Sequence, residues 1–317
     1  MDVILPIEMT DSILVDTNIA ENDYAEWAPS VTYYRGDFVI STATHKIYRA
    51  LTDHASTALN APDKEIAAIN DPLIEDPNPQ NWQEFSATNR WKPFDTKPSI
   101  QTENPESIYF RIKPNSFIGG MGFFGLNGAT ISIHGFLEGT PDVTIYDATE
   151  NLIDRDNITG WWEYFFTDFT IFPTKIFTGL HQAKGATWDI TISNPGGVAK
   201  VGQIAFGPLF NIGDTLVPGT NFSGLDFSTV EEDDFGNVTR VSRAATRTMD
   251  FSVKINRSKI STVQRKMDSL RGGVPAVWIG DHRLELAATI YGFSTDYRIS
   301  YTAADFANME LEIRGLI

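Results

Sequence analysis

Short runs of alternating apolar and polar residues, separated by turn residues, constrain the fold of this chain most strongly. Between Ser99 and Gly213, the runs TISIHGF and TWDITIS alternate at every second position, the pattern of strands with one buried face. Similar runs are SIYFRI, DVTIY, TDFTIF and VGQIAFG. This spacing predicts a β-sandwich or jelly roll over residues 96–225.

Residues 226–317 combine strand patterns with one helix pattern. The run SKISTVQRKMDSLRGG predicts a helix that Ser258 caps and that Gly272 or Gly273 ends. Its apolar stripe consists of Ile260, Val263, Met267 and Leu270. The runs MDFSVKI, PAVWIG, AATIYGF, YRISYT and MELEIRG predict strands. We therefore expect a small α+β domain with one helix on an antiparallel sheet.

The first 95 residues differ from the last third in charge. They hold 6 Lys and Arg residues against 16 Asp and Glu residues, whereas residues 226–317 hold 12 against 13. From Asn60 to Asn81, four prolines stand among Asn and Asp residues, which predicts a surface loop. The chain is thus expected to be mainly β, with three domains: 1–95, 96–225 and 226–317.

Composition excludes several classes of protein. The 317 residues are 42% hydrophobic and 12% aromatic, which predicts a globular chain. The formal charge of −16 opposes binding to nucleic acid. The chain has no cysteine and no run of about 20 apolar residues, so we expect neither disulfides nor insertion into a membrane. Its first residues lack the positive charge of a signal peptide.

The sequence pattern Gly120-x-Gly122-x-x-Gly125 matches a dinucleotide-binding motif. That motif needs a helix after it, but LNGATISIHGF follows with the pattern of a turn and a strand. We therefore expect these glycines in a crowded β-turn, and no cofactor.

Acidic residues and histidines provide the remaining candidates for chemistry. The run Glu231-Glu232-Asp233-Asp234 could supply paired carboxylates or calcium ligands, but its pattern favours a solvated loop. The histidines are His45, His54, His134, His181 and His282. They have no metal-ligand spacing, so we expect surface or strand residues, no metal and no catalytic residue.

Aromatic residues are concentrated in ENDYAEWAPSVTYYRGDFVI, residues 21–40. They could form the core of a small β-module or a flat surface on which a sugar ring stacks. Alternation places Tyr33 and Tyr34 on opposite faces of a strand. Trp161 and Trp162 are also neighbours, so we expect one of them in the core, and Trp162 is a candidate for stacking.

The pattern W-x5-Y-Y-x-G-D-F-V-I, then Tyr48-Arg-Ala-Leu51 and a closing Trp, resembles small chitin-binding-like carbohydrate-binding modules. The resemblance implies a Gly-Asp hairpin turn and a minimal aromatic core. The core residues it indicates are Trp27, Tyr33, Val39, Tyr48 and Trp82. Tyr34 and Tyr24 then remain for contact with sugar. The segment TDHAST lacks the aromatic residues that follow Tyr-x-Ala in such modules.

A wider set of motifs, namely SATNRWKPFD, EEDDFGN, VWIGD, IYGFSTDY and MELEIRGLI, resembles a family of tail-tip proteins from long-tailed bacteriophages. The resemblance implies a structural, non-enzymatic component of the tail tip or baseplate, assembled in the host cytoplasm into the virion. Its expected partners are other tail proteins, further copies of this chain in a ring and a host-surface glycan. Residues 226–317 would dock on the tail. The alternative is a secreted polysaccharide-active enzyme with an appended binding module.

Overall fold

The structure is a computed structural model, and the residues that it describes are 1–69, 80–154, 160–162, 170–181, 183–232, 235–280 and 288–316. Strands account for 54% of the residues and helices for 9%, so the protein is mainly β, as predicted. Asp233, Asp234, His282 and the first half of TDFTIF lie outside the described residues.

The middle of the chain forms the predicted β-sandwich. One sheet has the order β11-β10-β15-β8-β2 and the other β14-β9-β16. The first sheet comprises β2 (Leu14–Thr17), β8 (Thr102–Ile112), β10 (Thr130–Leu137), β11 (Val143–Asn151) and β15 (Thr187–Val201). The second comprises β9 (Gly120–Phe124), β14 (Thr174–Thr178) and β16 (Gln203–Gly207). Alternate residues of both sheets, such as Ile133, Ile190 and Phe123, meet in one buried core.

The C-terminal sheet has seven strands in the order β17-β1-β22-β23-β24-β21-β18. They are β1 (Asp2–Ile4), β17 (Leu209–Asn211), β18 (Asp214–Asp226), β21 (Ala245–Asn256), β22 (Ala276–Ile279), β23 (Thr289–Tyr301) and β24 (Phe306–Gly315). The predicted strands AATIYGF and YRISYT lie in a single strand, β23, which has a bulge between Ser294 and Asp296. Strands β1 and β17 and all of β18 except Asp226 lie before residue 226, so the sheet combines the N-terminal strand with the last third of the chain.

The predicted helix packs on this sheet at Ile260–Ser269, after a 3₁₀ turn at Arg257–Lys259. Its stripe of Ile260, Val263, Met267 and Leu270 is buried, as predicted. The expected cap was wrong: Asn256 Oδ1 accepts the backbone N–H of Ser258, because the 3₁₀ turn moves the start of the helical segment upstream.

Both faces of the C-terminal sheet are buried at strand β22, which joins the sheet to the sandwich. In β22, Ala276 and Trp278 face the helix, while Val277 and Ile279 pack with Phe124 of the sandwich. Gly120 and Gly122 lie in strand β9 at this contact and not in a turn, so that part of the prediction was wrong. A Cβ on Gly122 would lie 3.1 Å from Val277 Cγ2, so the missing side chain permits the close approach.

Strands β3 to β7 form a small module between β2 and β8 in the chain. Strand β3 (Thr32–Tyr33) pairs with β6 (His54–Ala55), and β4 (Phe38–Ser41), β5 (Lys46–Ala50) and β7 (Trp82–Ala87) form a three-stranded sheet. A helix at Pro62–Ile69 replaces the first part of the predicted surface loop. Pro62 occupies its first position, where a missing N–H costs nothing. A 3₁₀ turn at Lys92–Phe94 leads back to the sandwich.

Two short hairpins complete the described strands. Strand β12 (Ile153–Asp154) pairs with β13 (Thr170–Ile171), and β19 (Thr229–Glu232) pairs with β20 (Val238–Val241). The second hairpin extends the pairing of β18 with β21, so the described residues 214–232 and 235–256 form one long hairpin, which we call the hairpin arm.

Candidate carbohydrate-binding surface

The small module has its own aromatic core. Tyr33, Val39, Tyr48, Ala50 and Trp82 are buried together. The rings of Tyr33 and Trp82 meet edge to face, 5.1 Å apart, and Trp82 Nε1 donates a 3.0 Å hydrogen bond to the backbone oxygen of Asn60. Burial raises the pKa of Tyr48, opposed by its hydrogen bond with Thr44. Trp27 is partly buried and packs against this core.

A tight turn connects Tyr33 to strand β4. Gly36 has φ of 100°, which favours glycine. Asp37 Oδ2 accepts the backbone N–H of Tyr34 at 2.8 Å, and the Asp37 backbone N–H reaches the Tyr34 oxygen at 3.0 Å. The turn therefore leaves Tyr34 at the surface, 61% exposed, while Tyr33 is only 8% exposed. This burial agrees with the expected alternation.

The opposite face of the three-stranded sheet carries a second set of aromatic rings. Phe38 stacks on Tyr24 with centroids 5.0 Å apart, and Phe85 meets Phe38 edge to face at 5.1 Å. Arg49 Cζ lies 5.9 Å from the centre of the Phe38 ring. Tyr24 is 43% exposed and Phe85 is 56% exposed. We call Tyr24, Phe38, Arg49 and Phe85 the aromatic face.

The strand geometry explains why these residues meet. Phe38 precedes the buried Val39 in β4, so its side chain points to the other side of the sheet. In β7 the register shifts, since Ile47 pairs with Ser86 and Tyr48 pairs with Glu84. Phe85 is the extra residue of this bulge and lies on the exposed side. Sequence reasoning selected Tyr24 but missed Phe38, Arg49 and Phe85, although the Phe38–Val39 alternation carried a signal.

The aromatic face has the chemistry of a sugar-binding surface. An exposed aromatic ring offers an apolar plane to the C–H groups of a pyranose. The Arg49 guanidinium supplies several N–H donors for hydroxyl groups. Tyr34 makes no ring contact with these residues in the described part of the chain, so it belongs to a different patch. The ligand-binding roles of Tyr24 and Tyr34 stay predictions.

Trp161 and Trp162 do not behave as a strand pair. They are 81% and 72% exposed, so the expectation that one of them is in the core was wrong. Both have a helical backbone, in which neighbouring residues need not face opposite sides. Residues 163–169 lie outside the described residues, and a stacking role for Trp162 stays a prediction.

The candidates for acid–base or metal chemistry are dispersed. Glu231 and Glu232 are exposed in strand β19. In the described ranges, no group of three or more His, Cys, Asp or Glu residues could hold a metal ion. His45 connects the small module to the segments on either side of it. Its ring stacks on Trp91 with centroids 4.0 Å apart, and its Nδ1 lies 3.0 Å from Glu21 Oε1.

Comparisons with known proteins add little to this geometry. No protein-family model matches the chain, and no curated protein matches it. Among solved structures, it is similar to the F5/8 type C domain of a protein from Bacteroides fragilis, with 11% identity and a TM-score of 0.26. The match covers 36% of this chain and 77% of that domain, and its TM-score is too low to bear on fold or function. Among the described residues, no helix has the length and apolarity to cross a membrane.

Proposed function

We propose that this protein is a structural component of a long-tailed bacteriophage tail tip or baseplate, and that its small module adheres to a host-surface glycan. The observation that carries the adhesion is the aromatic face. Its Tyr24 and Phe85 rings are exposed and Phe38 is half-buried between them, although the module has buried a complete aromatic core elsewhere. Exposed aromatic clusters of this kind mark interaction sites.

The hairpin arm supports the assembly role. Its exposed apolar residues include Val217, Phe222, Val230, Phe235 and Val238, with exposures of 60% to 90%. Strand β18, with 13 residues, is an edge of the seven-stranded sheet. It carries Pro218 and a bulge between Leu216 and Asn221, but residues 221–226 beyond them include no Lys, Arg or Pro. Natural proteins usually protect a long edge of this kind against pairing with another chain. We propose that a second copy of this protein covers the arm in a ring.

Two experiments test the assembly role. Labelled-antibody microscopy of purified virions should place the chain at the distal end of the tail, and detection only in lysate would contradict the proposal. Phe222→Ser combined with Val238→Ser should reduce incorporation into particles without lowering the melting temperature, because both side chains are exposed. Phe117→Ser, which changes a 47% exposed residue outside the arm, is the matched control.

Glycan arrays test the adhesion role. Phe85→Ala should weaken binding about fivefold, since an aromatic stacking contact contributes on the order of 1 kcal/mol. Tyr34→Ala and Phe117→Ala are controls from other exposed patches. If only Tyr34→Ala lost binding, the glycan site would lie at the turn that contains Tyr34 and not on the aromatic face. If the protein releases sugars from a polysaccharide and Glu232→Gln abolishes this release, the result would support the polysaccharide-active enzyme instead.

A further inference from the structure

A cavity of about 310 Å³ lies where four parts of the chain meet, away from the module. It is bordered by the segment between β1 and β2, by the residues after the 3₁₀ turn at Lys92–Phe94, by β16 and by the C-terminal sheet. Its apolar walls include Ile7, Met9, Phe94, Val274 and Tyr291. The cavity therefore joins the sandwich to the C-terminal sheet.

Two residues that line this cavity each hold a buried acceptor atom without a partner among the described residues. Asp95 Oδ1 accepts the backbone N–H of Lys97 at 2.9 Å, but Asp95 Oδ2 is buried without a hydrogen-bond partner among the described residues. Gln203 is 3% exposed, and its Nε2 donates to the backbone oxygen of Ile204. Its Oε1 is consequently left as a second buried acceptor without a partner in the described chain.

The charged residues that line the cavity are acidic, while Lys92 and Lys97 act on Asp95 from outside the lining. Asp95 and Glu8 line it, and no Lys or Arg is among its described lining residues. No Lys or Arg nitrogen in the described ranges forms an ion pair with Asp95. A buried carboxylate oxygen without a donor is costly, so the site is complementary to a cation that donates hydrogen bonds.

We propose that this cavity binds a primary ammonium group carried on a short hydrocarbon chain. The ammonium has three N–H donors, enough for Asp95 Oδ2, Gln203 Oε1 and a third acceptor. The hydrocarbon chain would contact the apolar walls. An uncharged alcohol supplies a single donor, and a carboxylate would be repelled by Asp95.

Met9 provides a probe inside the cavity. The full-length protein with ¹³C-labelled methionine methyl groups would be titrated with n-butylammonium, n-butanol and n-butyrate at constant ionic strength. The chain has six methionines, and Met9→Leu identifies the relevant signal. The Met9 methyl signal should shift saturably with n-butylammonium, at concentrations about tenfold or more below those for n-butanol.

Asp95→Asn should weaken n-butylammonium binding about tenfold or more, because the charged acceptor is lost. Glu8→Gln, at the exposed rim, is the matched control and should have a smaller effect. If Asp95→Asn does not fold, Gln203→Met removes the other acceptor and should also weaken binding.

The pH dependence gives an independent readout. Burial raises the pKa of Asp95 to about 6, opposed by Lys97 and Lys92. The other titratable groups at the cavity are Glu8 and Tyr291, and burial raises the pKa of Tyr291. An alkylammonium stays charged below about pH 10, so binding should fall as the pH drops through 6 and Asp95 is protonated. The proposal would be overturned if n-butanol bound as tightly as n-butylammonium, if the Met9 signal did not respond, or if Asp95→Asn bound n-butylammonium unchanged. The cavity would then hold only water.

Discussion

Thr88 Oγ1 donates a 2.8 Å hydrogen bond to Glu21 Oε1, which brings together the two ends of the segment that contains the small module. The Glu21 side chain is 6% exposed and also contacts His45 and Arg90. Residues 22–87 therefore form an insert whose ends lie close together. The residues before the insert belong to other sheets, since β1 lies in the C-terminal sheet and β2 in the sandwich.

Removal of the insert should leave the rest of the chain folded. Replacement of residues 22–87 by a short Gly-Ser linker should preserve a cooperative thermal transition. Deletion of residues 1–95 should abolish it, because β1 lies between β17 and β22 and its Val3 and Ile4 are buried. Circular dichroism of both variants checks this expectation. Similar melting of the two variants would contradict the role of β1.

Tyr33 and Tyr34 form a matched pair for the module. Tyr33→Ala should destabilise the module by about 3 kcal/mol or more, since it leaves a cavity beside Trp82. Tyr34→Ala should change stability by less than about 0.5 kcal/mol, because the side chain is 61% exposed. Urea denaturation followed by tryptophan fluorescence measures both. A destabilised Tyr34→Ala beside an unaffected Tyr33→Ala would mean that the register of the strand is inverted.

Asp189 should contribute stability that acid removes. Burial alone would raise its pKa, but hydrogen bonds from Arg111 and Tyr109 lower it below its ordinary value. A lowered folded-state pKa gives stability that is present above the unfolded pKa of about 3.9 and is lost as pH falls through the folded value.

Asp189→Asn should therefore lower the melting temperature most at neutral pH, and the difference from the unmodified protein should shrink under acid. Asp147→Asn changes an exposed aspartate on strand β11, two strands away in the same sheet, and serves as the control for the loss of an aspartate. A difference for Asp189→Asn that grows as pH falls below 4 would have the wrong sign for this ion pair.

Gly207 allows the N-terminal segment to pass close to strand β16. A Cβ at Gly207 would overlap the backbone carbonyl oxygen of Leu5, whereas a Cβ at Gly224 would meet no atom within 4 Å. Gly207→Ala should cost about 1–3 kcal/mol, as overpacking does, and Gly224→Ala should be nearly neutral. Thermal melting compares the two variants. Equal melting temperatures of the two variants would show that the segment around Leu5 moves away from Gly207 at no cost in stability.

The sequence by itself determined the local elements with a clear period. The alternation of TISIHGF gives β10, and the stripe of Ile260, Val263 and Met267 gives the buried face of the C-terminal helix. Predictions from these patterns are correct because side-chain direction repeats every two residues in a strand and every 3.6 residues in a helix. The spacing of apolar residues therefore shows which face is buried. Tyr33 and Tyr34 follow the same rule.

Only the tertiary structure decided which faces meet and which strands pair. Asp2 pairs with Asn211 and Ile279, more than 200 residues away, and no local period encodes such a partner. The bulge that exposes Phe85 depends on the pairing of β5 with β7. The cavity at Asp95 and Gln203 exists because distant segments pack against each other. Periodicity determines that a face is buried, while long-range packing selects what covers it and which polar atoms remain without partners.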